Sequence, residues 1–329
     1  MSDSIQTVTG PTTPEALGRT LMHEHLTIGY PGWEADTIHP GPQRAEIVAT
    51  AVDRIEEMKA EGISAMVDPC PNDLGRDVEL MAEVAQRTNF QLICATGLYK
   101  QEEGGVPYWH FRSNFGTQVD AMAELFIREL EDGVGDTGIR PGIIKVATGF
   151  DTITDYEKTI LEAAAKASIA TGTPITTHTD RNMGDEQQKI LTGHGVAPHK
   201  IVIGHSCGTS DHDYHERIAQ GGSYLGFDRF GLDFVQPDTE RVASLLRLIA
   251  RGAGDRVVVS HDSVWCWRGA PVPDPAVFEA MSQVWNPLHF SRRIAPMLRE
   301  GGATDEQIEA LLVDNPRRYF TGETLASIA

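Results

Sequence analysis

The sequence predicts an α/β fold, a single (β/α)8 TIM barrel forming one domain over residues 1–329. Three observations predict it. Eight strand-like runs alternate with helical patterns along the chain. No Pro/Gly/Ser-rich linker or charge run divides them, and residue types that bind metals recur at the ends of the runs. Alternating strands and helices over this length imply a parallel sheet, and eight repeats imply closure into a barrel. An open doubly wound sheet is the competing architecture, but no glycine-rich fingerprint follows the first strand.

Residues 1–16 open the chain, with a short hairpin around Gly10-Pro11. The first strand runs from Leu17 to Leu26. From Arg44 to Glu61, Ile47, Val48, Ala51, Ile55 and Met58 recur on one helical side, and Gly62 stops the helix. The second strand, Ile63–Asp68, is ended by Pro69. A helix over Arg76–Thr88 leads to the third strand, Phe90–Thr96, where Cys94 reads as a small core residue. After a loop, Gln118–Leu130 is helical and Gly142–Thr148 is the fourth strand. The pattern continues with helix Tyr156–Thr171, strand Pro174–His178, helix Asp185–His194 and strand Ile201–His205. Helix His212–Gln220, strand Tyr224–Asp228, helix Thr239–Arg251 and strand Val257–Asp262 complete eight units. A long loop, Ser263 to about Phe290, holds Trp265, Trp267 and Trp285, and its length suggests a lid or a contact surface. Helices near Ile294–Glu300 and Asp305–Val313 precede the closing Asn315–Phe320.

Bulk properties narrow the function. The net charge of −19 argues against nucleic-acid and anionic-membrane partners, since little is basic enough to neutralise phosphates. No apolar run approaches the roughly 20 residues needed to cross a bilayer. The N-terminus lacks a basic and apolar secretion signal. Cys70, Cys94, Cys207 and Cys266 stand far apart without a C-x-x-C pair, which suggests neither a zinc ribbon nor a disulfide framework. A cytoplasmic enzyme is the expectation.

Its chemistry centres on Leu21-Met22-His23-Glu24-His25-Leu26. A strand points alternate side chains to one face, so His23 and His25 look the same way and Glu24 the other. Four further strand ends carry a ligand type: Lys145, His178, His205 and Asp262. Imidazole and carboxylate suit zinc and its first-row neighbours. Four histidines exceed what one catalytic ion with an open position uses, so two divalent ions are expected. Lys145 lies among Ile143, Ile144 and Val146, where burial favours its neutral amine. Such an amine can add carbon dioxide to form a carbamate; a buried ion pair is the other reading of the same residue.

These motifs resemble those of the phosphotriesterase family of the amidohydrolase superfamily, especially its lactonase-like members. The resemblance covers nearly the whole barrel, with His-Glu-His on the first strand, the Lys145 run, His178, His205 and Ser-His-Asp262. It implies that His23, His25 and Asp262 hold the more buried ion and His178 and His205 the more exposed one. Carboxylated Lys145 and a hydroxide would bridge the two, and Asp262 would act as general base. Zinc is the first choice, with cobalt, manganese or iron as alternatives. Thr96-Gly97-Leu98-Tyr99 resembles the lactonase-like pattern with a tyrosine beside the metal bridge. Phe227-Asp228-Arg229-Phe230-Gly231 resembles the arginine-bearing loop after the seventh strand. The alternative reading makes Tyr99 a core aromatic and Arg229 a salt-bridge partner of Asp228. The Trp265-Cys266-Trp267-Arg268-Gly269 loop departs from the family and matches no assignable specificity.

The resemblance implies a homodimer that hydrolyses lactones, with organophosphate triesters as secondary substrates. An amide or other ester hydrolase with the same site is the first rival, and a non-catalytic scaffold barrel the second. His39, His110, His194, His199, His212, His215 and His289 read as solvated or capping residues. His261 faces away from Asp262 and supports the wall. Tyr108-Trp109-His110-Phe111 is placed either at the pocket mouth or in packing.

Overall fold

The computed structural model describes residues 4–272, 274–326 and 328. A hairpin of β1 (Ile5–Thr7) and β2 (Gly10–Thr12) precedes the barrel. The chain then forms β3 (Thr20–Leu21), β4 (Glu24–Ile28), α1 (Arg44–Ala60), β5 (Ala65–Asp68), α2 (Val78–Thr88) and β6 (Gln91–Gly97). Next come α3 (Val106–Arg112), α4 (Gln118–Glu131), β7 (Ile143–Thr148), α5 (Asp155–Thr171), β8 (Ile175–Thr179) and α6 (Gly184–Gly193). After these follow β9 (Ile201–Ile203), α7 (His212–Gln220), β10 (Tyr224–Phe227), α8 (Asp238–Ala250), β11 (Val257–Val259) and β12 (Ser263–Trp267). The chain closes with α9 (Pro275–Ser282), α10 (Ala295–Glu300), α11 (Asp305–Leu312) and α12 (Asp314–Thr321).

Strands β3 and β5–β11 form an eight-stranded parallel sheet in chain order. The seam between its first and last strands is closed by the Met22 N–H, which donates to Val259 O at 3.2 Å. Side chains of period two fill the barrel: Met22, Val67, Ile93, Ile143, Val202 and Val258 pack together inside. Tyr319 lies against this inner cluster from α12, and its hydroxyl donates to Ile175 O at 2.7 Å. A larger apolar shell joins the sheet to the surrounding helices. Helix starts follow local chemistry, as where Thr154 and Glu157 cap α5 reciprocally.

The barrel and its alternating helices match the sequence expectation, while several boundaries differ. The first strand is not continuous over Leu17–Leu26. Pro14–Leu17 is a 3-10 turn, Gly18 takes a positive φ, and the strand breaks between Leu21 and Glu24 because it changes partner. β3 pairs with β5, whereas β4 leaves the barrel to pair with β12. The Leu26 N–H therefore donates to the Asp68 side chain at 2.9 Å instead of to a ladder carbonyl. The sixth and eighth strands end early, at Ile203 and Val259. The long loop after the eighth strand contains β12 and α9. Helix α3 lies in a stretch expected to be loop, and α12 forms despite Pro316. That proline occupies the first turn, where its missing N–H has no helical partner to lose.

Candidate metal centre

The ends of β3/β4, β7, β8, β9 and β11 bring His23, His25, Lys145, His178, His205 and Asp262 to one place at the carboxyl face. Their local backbones explain how. His23, in the break just before β4, and His25, within β4, flank Glu24 and both approach Asp262 Oδ1 at 3.3 Å. Lys145 lies two residues beyond the inward Ile143, so its side chain enters the barrel one layer higher. Its Nζ is 3.0 Å from His23 Nε2. His205 and Asp262 each sit at the first turn after a strand with φ of 58° and 55°. Left-handed backbone at a non-glycine residue is strained and concentrates at functional sites.

Each of the four central histidines has one ring nitrogen fixed by a carboxylate. His23 Nδ1 and His205 Nδ1 lie 3.1 and 2.9 Å from the two oxygens of Asp228. His25 Nδ1 is 3.2 Å from Asp68, and His178 Nε2 is 2.8 Å from Asp180. An ionised carboxylate only accepts, so these nitrogens donate and the opposite ones present lone pairs to the centre. There they meet other acceptors: His205 Nε2 faces His178 Nδ1 at 2.8 Å, and Asp262 Oδ2 lies 3.6 Å from His205 Nε2. Buried acceptors facing acceptors repel unless cations lie among them, and this is the arrangement by which proteins prepare histidine ligands. The donor set fits metal ions, and His23, His25 and Asp262 are close enough to share one.

Electrostatics agree with that fit. Burial lowers the pKa of His23, His205 and His178, the last to about 3, so these rings stay neutral and available as ligands. Burial also lowers Lys145 to about 8. Burial would raise Asp262, but His205, His23, His25 and Arg229 outweigh it and hold the carboxyl well below its usual range. His25 runs the other way. Burial opposes its protonation, yet hydrogen bonds to Asp262 and Asp68 hold it well above its ordinary value.

Tyr99 and Arg229 also reach this place. The Tyr99 hydroxyl is 3.2 Å from His178 Nδ1, and burial pushes its pKa well up. Arg229 Nε donates to Asp262 Oδ2 at 3.0 Å and is not paired to Asp228. Above the centre lies a cavity of about 330 Å3, its outer wall made of Leu232, Phe234, Trp267, Phe278, Met281 and Trp285. The tryptophan-bearing segment therefore lines the cavity. Tyr108 and Phe111 on α3 point to solvent and are absent from the lining.

Three carboxylates escape a sequence reading: Asp68, Asp180 and Asp228. The only signal for them was an acidic residue at, or two positions beyond, a strand end. Glu24 is the other surprise. Fully buried, it accepts from Ser260 Oγ, from Ser263 Oγ and N–H, and from the N–H and Nδ1 of His261, clamping the turn that presents Asp262. His261 in turn accepts the Phe290 N–H at its Nε2, as a wall residue. His215 is buried with Nε2 donating to Ser206 O, and His289 pairs with Asp238, so neither is a solvated histidine; tertiary packing outweighs their polarity.

Comparison with known proteins places this geometry. The model of the phosphotriesterase family matches residues 3–320. A phosphotriesterase homology protein of Mycobacterium tuberculosis is 38% identical over 321 residues, covering 96% of this chain and 97% of its own. An aryldialkylphosphatase of Saccharolobus solfataricus is 32% identical, covering 93% and 95%. The organophosphorus hydrolase from Deinococcus radiodurans superposes with a TM-score of 0.93 at 40% identity, covering 97% of both chains. The chain is a hydrolase of the phosphotriesterase family.

Proposed function

We propose that the protein is a two-metal hydrolase that opens lactones and, less efficiently, cleaves organophosphate triesters. The observation that carries this reading is the set of four histidines, each tied to a carboxylate on one side and turned to Asp262 or its neighbours on the other. His23, His25 and Asp262 would hold the inner ion, His178 and His205 the outer, with carboxylated Lys145 joining them. Zinc suits these donors, as do cobalt, manganese and iron. Such ions supply Lewis acidity at a carbonyl or phosphoryl oxygen and bring the pKa of water towards about 7.

The chain's own residues complete the chemistry. Lys145 Nζ, biased towards the neutral amine, offers the lone pair that adds carbon dioxide with loss of a proton. Asp262 accepts the proton of the attacking water at a carboxylate oxygen, while Arg229 restrains its Oδ2. The Tyr99 phenol keeps its proton and donates it as a hydrogen bond to the lactone's ring or carbonyl oxygen. The apolar outer wall receives the alkyl substituent and keeps water from the reacting centre.

A solved structure named for engineering organophosphate hydrolysis from a weak promiscuous lactonase template is 39% identical with a TM-score of 0.92, which supports the pairing of activities. N-acetyltaurine hydrolases, 26% identical, raise the amide alternative. An N-acyl taurine carries a sulfonate, and of the cations lining the described cavity Arg229 is paired with Asp262 and Lys145 lies deep against His23. Lactones are therefore favoured. The test is kcat/KM for a panel of lactones, triesters and acylated amines on metal-loaded protein, with elemental analysis. Two ions per chain and lactones as the best substrates are expected; faster amide turnover would reverse the assignment. The residues 1–329 act as one unit, and a homodimer is the assembly that sedimentation should find.

A further inference from the structure

The four central histidines are oriented by carboxylates of unequal kind. Asp228 serves His23 and His205 and accepts the His205 N–H. Asp68 serves His25 and accepts the N–H groups of Leu26 and Cys70. Asp180 differs. Its Oδ1 takes His178 Nε2 at 2.8 Å, and its Oδ2 takes Lys100 Nζ at 2.5 Å. Among the described residues it is the one of these three carboxylates with a lysine or arginine partner.

Lys100 is itself unusual in being only 3% exposed. Its ammonium lies 5.8 Å from the ring centres of both Tyr99 and Phe150, with Glu103 at 3.4 Å on the outer side. Burying an ammonium is costly unless it is paired, so its partner is held firmly. The link runs from the residue after Tyr99, beyond β6, to the residue after Thr179, beyond β8. It spans β7, the strand that carries Lys145. With one oxygen committed to each neighbour, Asp180 cannot rotate without breaking one contact.

We propose that Lys100 and Asp180 are positioning residues that set how tightly the outer ion is held: Asp180 fixes His178 with Nδ1 facing the centre, and Lys100 anchors Asp180. This rests on the two-ion reading above. Lys100 acts through Asp180 and touches no reacting atom.

The experiment is a zinc titration of metal-free protein against a competing chelator, resolving two stepwise affinities. It is run on wild type, Asp180→Asn, Lys100→Met, Lys100→Arg and the Asp180→Asn/Lys100→Met pair. Asp180→Asn should weaken the second step by about 10–100-fold and leave the first unmoved. Lys100→Met should weaken the second step by about three- to tenfold, Lys100→Arg should restore it, and the double variant should be no worse than Asp180→Asn alone. A purely electrostatic lysine would do the reverse, since removing a cation near an ion tightens binding; tighter zinc in Lys100→Met overturns the proposal. Additive losses, or equal movement of both steps, also overturn it. Should a variant fail to fold, the nitrogen-15 spectrum of His178 in metal-free wild type decides: a proton on Nε2 supports the proposal, and one on Nδ1 refutes it. A wild type that binds a single ion sinks the two-ion reading and this proposal together. Two ions with an unmoved second step in Asp180→Asn sinks this proposal alone.

Discussion

A phenol that shares a lone pair with an imidazole can be redirected to a substrate oxygen at small cost, and Tyr99 is so placed beside His178. Removing a preorganised donor of this kind costs roughly 2.7–4 kcal/mol of barrier. Tyr99→Phe should therefore lower lactone kcat/KM by about 100- to 1,000-fold, and triester kcat/KM far less, because a stable leaving group needs little help. Equal losses at equal metal content would make Tyr99 a packing residue. Lys145 gives a pH-dependent expectation. Its folded pKa, lowered by burial to about 8, leaves Nζ as ammonium below that pH and as a nucleophilic amine above it. Bicarbonate-dependent reconstitution of metal-free protein should accelerate as pH rises from 7 to 9, and Lys145→Ala should abolish it; a rate flat across that range would refute carbamate formation. At this scale the sequence was readable where alternation along one short extended segment decides orientation, as for His23 and His25. Asp228 was not readable, because its role depends on two histidines brought to it from β3/β4 and β9, and an acid at a strand end is common for many other reasons.

Strand ends are where this fold stores its tension. β6 ends at Gly97 with φ of 137°, where an added Cβ would lie 1.8 Å from Lys145 O. Beyond β9, a Cβ on Gly204 would meet Thr177 O at 1.9 Å, so backbone packs on backbone just before His205. Gly97→Ala should destabilise the metal-free protein by about 1–3 kcal/mol or more in urea unfolding and displace Lys145. An unchanged unfolding midpoint would show that the strand relaxes freely. Helices with an apolar side, such as α1 and α5, could be read from period and caps. The breaks in the first, sixth and eighth strands could not, since they follow from partner exchange and left-handed turns that leave no mark in local hydrophobicity. The short helices α3 and α9 lack the length for a periodic signal to rise above chance.

On the scale of the whole molecule, ions held by residues from five barrel strands should act as a ligand that binds only the folded chain. At ion concentrations a hundredfold above Kd this linkage adds about 2.7 kcal/mol. Chelation should lower the calorimetric Tm by several degrees, and restored zinc should return it; a Tm indifferent to chelator would mean that the sites do not bind in the native state. The eightfold alternation made the architecture legible, because it is written along the entire chain, whereas the cavity wall is built from side chains that only the closed barrel makes neighbours. That closure has a consequence for the protein's birth. Glu24 clamps Ser260, His261 and Ser263 across separations of 236 to 239 residues, and Asp262 N–H donates to His23 O at 2.9 Å. Contacts of such sequence distance form late, since the long loop must close before they repay its entropy. A nascent chain on the ribosome can thus shape most of the barrel wall while its histidines still lack their last carboxylate. On the two-ion proposal, competence to bind the inner ion would arrive as a single late event, when the eighth barrel strand emerges and finds the first.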